Sequence, residues 1–302
     1  MSTKFTVRFW GVRGSIATGG PQYAEVGGNT TCVEVRAGNE LIILDAGTGL
    51  FPLGQTLTGA VRASFLFSHF HWDHIQGLPL FRPAYQAGNE FTLFGQAADA
   101  AELEGVFVRQ MQPPNFPVPM HALGAQFAFK ALAAGDEFHI GPARIRTTLL
   151  HHPQSCLGYR ISVGAFSVVF ATDTEPREAG AFDPAVLDLA RDADLLIHDG
   201  QYTTDEYNGH RGPCRKGWGH STYEVACRVA RWAGVKQLAL FHHDPGHDDA
   251  FVEQIGEAAC ELFPNTIIAR EGTTLDVTHL DAGYAEESRT SRRIPQALAS
   301  VG

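Results

Sequence analysis

The most informative stretch of the chain is Ser68-His-Phe-His-Trp-Asp-His74, which directly follows the apolar run of residues 63–67. Four of its side chains, three imidazoles and one carboxylate, are groups that zinc and related divalent ions accept as ligands. A buried strand cannot hide so many polar groups without partners, so the cluster belongs on the loop that leaves the strand. The spacing His-x-His-x-Asp-His therefore predicts a metal site at a strand end, and it disfavours a polar loop with incidental histidines.

Short apolar runs alternate with helical patterns along the rest of the chain. The runs that predict strands lie at residues 5–10, 31–36, 40–45, 63–67, 91–94, 127–131, 138–140, 143–150, 159–163, 166–171, 195–197 and 237–241. Helix starts are predicted by Asp183-Pro184, by the capping pattern Ser221-x-x-Glu224 and by Asp248. This order of elements indicates an α/β protein.

The composition agrees with a compact enzyme, since 302 residues with 44% hydrophobic content can bury the core of one large domain. The five cysteines are odd in number and scattered, which favours the reducing cytoplasm over a disulfide framework. We expect no signal peptide and no membrane span, because apolar stretches of the needed length are missing. The net charge of -10 disfavours a broad nucleic-acid-binding surface.

These landmarks together resemble the metallo-β-lactamase-fold superfamily of hydrolases over residues 5–278. The metal motif is similar to the superfamily's central motif, and Asp45 matches the upstream aspartate that braces the site. Downstream, His152, Asp173 and His242 match the third histidine of the first metal, the bridging carboxylate and the last histidine. The resemblance implies a four-layer αββα sandwich, in which two β-sheets pack face to face with helices outside.

The resemblance also implies a dinuclear centre. One metal would be bound by His69, His71 and His152. The other would be bound by Asp73, His74 and His242, and the Asp173 carboxylate would span both. The two divalent ions would be zinc, with manganese or iron as alternatives. Metals about 3.5–4 Å apart lower the pKa of a bridging water, so a hydroxide would be the nucleophile. Asp73 is expected to be a catalytic residue because it binds one of these metals.

Two histidine pairs need a choice of register. Adjacent side chains on a strand point oppositely, so only one of His151 and His152 faces the metals, and the resemblance to the family's His-Pro position favours His152. By the same argument His243 faces away from His242. We expect a structural hydrogen-bonding role for His198.

Two further stretches, residues 194–199 and 219–222, resemble the ribonuclease Z-like and cyclic-nucleotide phosphodiesterase-like branch. The second stretch favours His220 as the group that protonates a leaving oxygen, with Asp199 as the residue that orients it. A histidine stacked on Trp218 is the alternative. Ribonuclease Z has a glutamate where Asp199 stands here.

The segment between the third histidine and the bridging aspartate is a second departure from ribonuclease Z. That enzyme carries a long tRNA-gripping arm there, whereas only 20 residues separate His152 from Asp173, and residues 158–171 predict a short hairpin. The missing arm and the acidic charge argue against tRNA maturation.

We therefore expect a phosphodiesterase that acts on a cyclic nucleotide or another small phosphodiester through a metal-bridging hydroxide. Hydrolysis of a lactone or thioester and cleavage at RNA ends are the alternatives, and the complete ligand set counts against a non-enzymatic binding module. The expected partner is a small-molecule substrate, with no extended nucleic-acid surface and no membrane. The sequence is compatible with a homodimer and does not decide the oligomeric state.

The domain organisation expected from the sequence is one hydrolase domain at residues 1–280. Residues 98–126 interrupt the pattern with the proline-rich stretch 111–120, which indicates an insertion or lid loop or, equally, a surface crossing. Residues 281–302 lose the apolar periodicity and are expected to form a flexible tail.

Overall fold

The computed structural model describes residues 4–177 and 183–280, so the expected tail at residues 281–302 lies outside the described residues. The strands are β1 (Phe5–Gly11), β2 (Cys32–Ala37), β3 (Glu40–Leu44), β4 (Arg62–Leu66), β5 (Glu90–Gln96), β6 (Gln126–Leu132), β7 (Glu137–Ile140), β8 (Ala143–Leu150), β9 (Cys156–Val163), β10 (Phe166–Ala171), β11 (Leu195–Asp199), β12 (Gln237–Phe241), β13 (Thr266–Ile268) and β14 (Thr274–Asp276). All strands expected from the sequence are present, and β13 and β14 were not expected.

The helices are α1 (Leu50–Thr56), α2 (Trp72–Ile75), α3 (Ala100–Gln110), α4 (Pro184–Ala190), α5 (Thr204–Tyr207), α6 (Tyr223–Ala233) and α7 (Asp249–Leu262). Short 3-10 helices lie at Pro21–Tyr23, Leu78–Leu80, Arg82–Tyr85, Met120–Ala122 and Val277–His279. Asp183 and Asp248 cap α4 and α7 as predicted. The cap of α6 is Thr222, whose side chain accepts from Val225 N, so the pattern based on Ser221 was wrong by one residue.

The strands form two seven-stranded sheets of matching topology. The first has the order β14-β1-β2-β3-β4-β5-β6 and the second the order β13-β12-β11-β10-β9-β8-β7. In the first sheet β3 to β6 run parallel, and in the second β10 to β13 run parallel. The carboxyl ends of parallel strands meet at one edge, where loops can bring side chains together.

The sheets pack face to face, as the contact between Phe9 of β1 and Phe241 of β12 illustrates with ring centroids 6.1 Å apart. Helices α1 and α3 cover the outside of the first sheet, and α4, α6 and α7 cover the second. The predicted four-layer αββα sandwich is therefore confirmed. No helix in the described ranges is long and apolar enough to cross a membrane, and all five cysteines are free thiols.

The expected insertion at residues 98–126 corresponds to the connection 97–125 between β5 and the parallel strand β6. The segment begins with α3, which Asp99 caps, and α3 buries Leu103 and Phe107 completely against the first sheet. Met111 and Met120 of the following proline-rich loop are buried in the same cluster. The segment thus covers an apolar face of the sheet, and its interpretation as a lid stays a prediction.

Candidate metal centre

The residues expected to bind metal come from loops that follow one strand of the first sheet and three strands of the second. The motif follows β4, His152 follows β8, Asp173 follows β10 and His242 follows β12. Asp45, directly after β3, shares with Asp173 and His242 a positive φ of between 54° and 60°. Non-glycine residues seldom adopt this left-handed conformation, and such strain is concentrated at functional sites.

One group of ligand atoms is formed by three histidines and a carboxylate. His69, His71, His152 and Asp173 each offer an atom to a cluster in which all lie within 4.8 Å of one another. His71 Nδ1 lies 3.3 Å from His152 Nε2, and Asp173 Oδ2 lies 3.5 Å from His69 Nε2. The structure therefore brings together the whole first ligand set.

The second group is formed by Asp73, His74 and His242. The Nε2 atoms of His74 and His242 are 3.3 Å apart, and Asp73 Oδ2 lies 3.2 Å from each of them. Asp173 Oδ1 lies 3.3 Å from His74 Nε2 and 3.2 Å from His242 Nε2. Because its Oδ2 faces the first group, the Asp173 carboxylate spans both groups, as the resemblance implied.

The outer ring nitrogen of each histidine is held by a hydrogen-bond acceptor. The contacts are His74 Nδ1 to Asp45 Oδ2 (2.7 Å), His242 Nδ1 to Gln201 Oε1 (3.0 Å), His152 Nδ1 to the carbonyl of Gly219 (2.9 Å), His71 Nε2 to Gln154 Oε1 (3.0 Å) and His69 Nδ1 to Ser68 Oγ (3.1 Å). Ser68 Oγ can accept because its own proton goes to Asp45 Oδ2, at 2.7 Å. Each imidazole can therefore donate outward and turn a lone pair inward when a metal takes that lone pair.

This donor set fits divalent cations. Two inward lone pairs only 3.3 Å apart, as at His74 and His242, repel each other unless a cation lies between them. His69 Nε2 is buried and makes no hydrogen bond among the described residues. Burial lowers the pKa of His69 well below its usual value, so the neutral ring is favoured. A neutral imidazole is the form that coordinates a metal.

His220 lies close enough to Asp173 and His242 for a ring nitrogen to be within 4.8 Å of a ligand atom of each, and Asp199 lies behind it. His220 Nδ1 donates to Asp199 Oδ2 at 2.9 Å and lies 3.9 Å from Asp173 Oδ2. The ring of His220 stacks on that of His242, with centroids 4.9 Å apart. Asp199 also accepts from the backbone N–H groups of Gln201 and Thr174, at 3.0 and 3.3 Å, so its orientation is fixed from three directions.

The remaining histidines of the predicted strand ends point elsewhere. His151 Nδ1 is 3.0 Å from the carbonyl of Glu175, His243 Nε2 is 3.0 Å from that of Ala269, and His198 Nδ1 is 2.7 Å from that of Asp199. None of these three belongs to the ligand groups found among the described residues.

Three residues that support the site were not identified from the sequence. The Gln201 side chain bonds both His242 Nδ1 and Ser15 Oγ, at 3.0 and 3.4 Å. The backbone N–H of Ser15 donates to Asp73 Oδ2 at 2.7 Å. Glu175 accepts from the N–H groups of Gly217 and Gly219, at 2.7 and 2.8 Å. Of these three, Glu175 alone had a signal in the sequence, because it lies two residues after Asp173.

Gly219 shows why that loop needs glycine. Its φ is +90°, and a Cβ there would lie 2.1 Å from His152 Nδ1. Any side chain at this position would displace the carbonyl that holds His152.

The family assignment follows from comparison with known proteins. The sequence profile described as the beta-lactamase superfamily domain matches residues 41–243, which is more than half of the chain. The chain therefore belongs to the beta-lactamase superfamily, and it is a hydrolase of the metallo-β-lactamase fold. The family and the His/Asp cluster together support binding of divalent metal.

Two curated relatives that match most of the chain are both named ribonuclease Z. Ribonuclease Z of Synechococcus sp. (strain WH7803) is 27% identical over 80% of this chain and 88% of its own length. Ribonuclease Z of Methanosarcina acetivorans is 26% identical over 83% of this chain and 93% of its own length.

Solved structures show the same fold. The metallo-beta-lactamase fold protein YhfI from Bacillus subtilis has a TM-score of 0.67 and 20% identity, covering 91% of this chain and 99% of its own. The short form of human tRNase Z has a TM-score of 0.65 and 17% identity, covering 90% and 99%. A diphosphatase of the PhnP family has a TM-score of 0.64 and 17% identity, covering 90% and 97%.

These relatives correct the expected partner. The expectation of a small-molecule substrate with no extended nucleic-acid surface was wrong, because relatives that match most of the chain are named for ribonuclease activity. Net charge is a sum over the whole chain and does not describe local patches. One such patch on the second sheet and α4 gathers four cations around two anions: Arg144, Arg146, Arg160 and Arg191 with Glu137 and Asp188.

Proposed function

We propose that the protein is a metal-dependent phosphodiester hydrolase. The observation that carries the proposal is His220, which contacts Asp199 and stacks on His242 at the edge of the ligand cluster. The alkoxide that leaves from a ribose or alkyl phosphodiester needs a proton at neutral pH. The thiolate of a thioester does not, because thiols have a pKa near 8.5. A histidine in this position therefore favours the phosphodiester over the thioester.

The chain's own residues would hold the metals in two groups joined by Asp173. His69, His71 and His152 would hold one ion, and Asp73, His74 and His242 the other. When bound, divalent cations polarise phosphoryl oxygens and lower the pKa of a coordinated water. We infer zinc as the native ion from the imidazole-rich donor set.

Asp199 would both orient and charge His220. Burial lowers the pKa of His220, but the carboxylate and hydrogen bond of Asp199, with Asp173, outweigh it and raise the pKa to about 9. Without metal, the ring is then protonated at neutral pH, and it loses its proton as the pH rises through about 9. Because Asp199 engages Nδ1, Nε2 is the nitrogen that can donate to a leaving oxygen.

Cleavage at an RNA end is a second candidate, which the relatives named ribonuclease Z favour. Between His152 and Asp173 this chain forms only the tight hairpin of β9 and β10. Any surface that binds RNA would therefore lie elsewhere on the protein.

The free cysteines also support a proposed location in the cytoplasm.

The test compares two diesters in the His220→Ala variant. The variant should keep its metals, since no proposed ligand is lost, while kcat falls by about 10²–10⁴ on a diester that releases an alkoxide. The loss should be much smaller on bis(p-nitrophenyl) phosphate, because p-nitrophenolate departs with little protonation. His210→Ala is the control, since it removes an exposed histidine from the preceding loop. Equal losses on both diesters would refute proton donation by His220.

A further inference from the structure

A cavity of about 520 Å³ adjoins the first ligand group at the carboxyl ends of β5 and β6. Its lining residues are His69, Phe70, Gln96, Ala97, Ala98, Glu102, Leu132, Ala133, Gln154 and Ser155. Because His69 is one of them, the cavity lies next to the proposed metal centre. Its volume lies within the roughly 300–1,000 Å³ of small-molecule sites.

The lining combines an apolar wall with a few polar groups. Phe70 and Leu132 supply the apolar surface, and the two glutamines and Glu102 supply amides and a carboxylate. Gln96 Oε1 is buried with no hydrogen-bond partner among the described residues. The amide oxygen of Gln154 is taken by His71, at 3.0 Å, which leaves its amide N–H groups for a ligand.

The charge of the lining excludes a phosphate from the cavity itself. Apart from His69, the titratable side chain in the lining is the carboxylate of Glu102, and neither lysine nor arginine is among the lining residues. One oxygen of Glu102 accepts from the backbone N–H of Ala98 at 2.6 Å. The other oxygen can accept from a ligand N–H. The cavity therefore suits a neutral group that carries hydrogen-bond donors and a flat apolar face.

We propose that the cavity is a nucleoside subsite that takes a base with an exocyclic amine next to the phosphate at the metal centre. The amine would donate to Glu102, the base would lie against Phe70 and Leu132, and the amides would meet the remaining polar edges. The proposal rests on the proposed function, because the phosphodiester at the ligand cluster is what brings a nucleoside to His69.

The test is calorimetric titration of the zinc-loaded protein with adenosine 5′-monophosphate, purine riboside 5′-monophosphate and methyl phosphate. We expect adenosine 5′-monophosphate to bind at least tenfold more tightly than methyl phosphate. Purine riboside 5′-monophosphate, which lacks only the exocyclic amine, should bind about tenfold more weakly than adenosine 5′-monophosphate. Equal dissociation constants for all three ligands would overturn the subsite.

Variants assign the effect to the cavity. Glu102→Gln should abolish the preference for adenosine over purine riboside, and Ala97→Leu, which fills the cavity, should reduce the preference for either nucleotide over methyl phosphate. Glu104→Gln is the matched control, since it removes the same exposed charge from the same helix and lines a different cavity. Wild-type preferences in both Glu102→Gln and Ala97→Leu would overturn the proposal.

Two further comparisons separate this proposal from its premise and assign the source of the nucleoside. Turnover of bis(p-nitrophenyl) phosphate with equal binding of the three ligands would leave the proposed function standing and remove the subsite. Tighter binding of adenosine 5′-monophosphate than of the other two ligands, without turnover of bis(p-nitrophenyl) phosphate, would support the subsite and contradict the proposed function. Tighter binding of a short oligoribonucleotide ending in adenosine than of the mononucleotide would identify the nucleoside as part of an RNA end, and equal binding as part of a free nucleotide.

Discussion

The two halves of the ligand cluster differ in how the protein holds them. In the half formed by Asp73, His74 and His242, both imidazoles are completely buried, and side chains or backbone of the chain fix every ligand. In the half formed by His69, His71 and His152, His71 is only half-buried. Its outer partner, Gln154, is exposed. The closed half sets the position of the site, whereas the open half adjoins the proposed nucleoside cavity, where substrate can enter.

Asp173 joins the two halves, so its removal should have the largest effect. Asp173→Ala should lose bound metal at both groups and abolish phosphodiester hydrolysis, since both of its oxygens face ligand nitrogens. Metal content by plasma mass spectrometry and turnover of bis(p-nitrophenyl) phosphate check this. Full metal and a near wild-type rate would remove Asp173 from the centre.

The register at His151 and His152 gives the next largest difference, and it concerns the open half alone. His152→Ala should lose one of two metals, while His151→Ala should keep both, because His151 faces the carbonyl of Glu175. Metal stoichiometry of the two purified variants decides between them. The opposite pattern would place the wrong histidine in the open half.

The variants His74→Ala and His71→Ala, one in each half, test whether the two halves contribute differently to the stability of the fold. His74→Ala leaves the fully buried Asp45 without its imidazole partner, and breaking such a pair costs about 3–5 kcal/mol. His71→Ala leaves a gap that water can reach, and it should cost clearly less. Urea unfolding of the two metal-free variants measures both costs. Equal losses would show that the halves are equally built into the fold.

The smallest expected effect is at the residues behind the ligands. Asp45→Asn should weaken zinc affinity by about 10–100-fold, since Asp45 orients a metal ligand through a buried hydrogen bond. Gln154→Ala should weaken it less, because Gln154 is exposed and water can replace its amide. Zinc affinity by competition with a chromophoric chelator gives both values. A larger loss for Gln154→Ala would reverse the comparison.

The ligand residues could be predicted from the sequence because each follows an apolar run that marks a strand end. Gln201, Ser15 and Glu175 could not, because they reach the site only when loops from both sheets meet, and no local pattern encodes that distance. The three-residue strands β13 and β14 are too short to show alternation. The expectation of no extended nucleic-acid surface failed for a different reason, since net charge cannot describe the surface around one site.

Hydrolysis by the metal-free protein before and after addition of zinc tests the central claim most directly. The substrates are bis(p-nitrophenyl) phosphate, a cyclic nucleotide, an RNA with a 3′ extension, a lactone and a thioester. We predict no turnover without metal and, with zinc, turnover of one or more phosphodiesters well above that of the lactone and thioester. Undiminished turnover in the presence of a chelator, or zinc-dependent turnover confined to the lactone or thioester, would contradict a metal-dependent phosphodiester hydrolase.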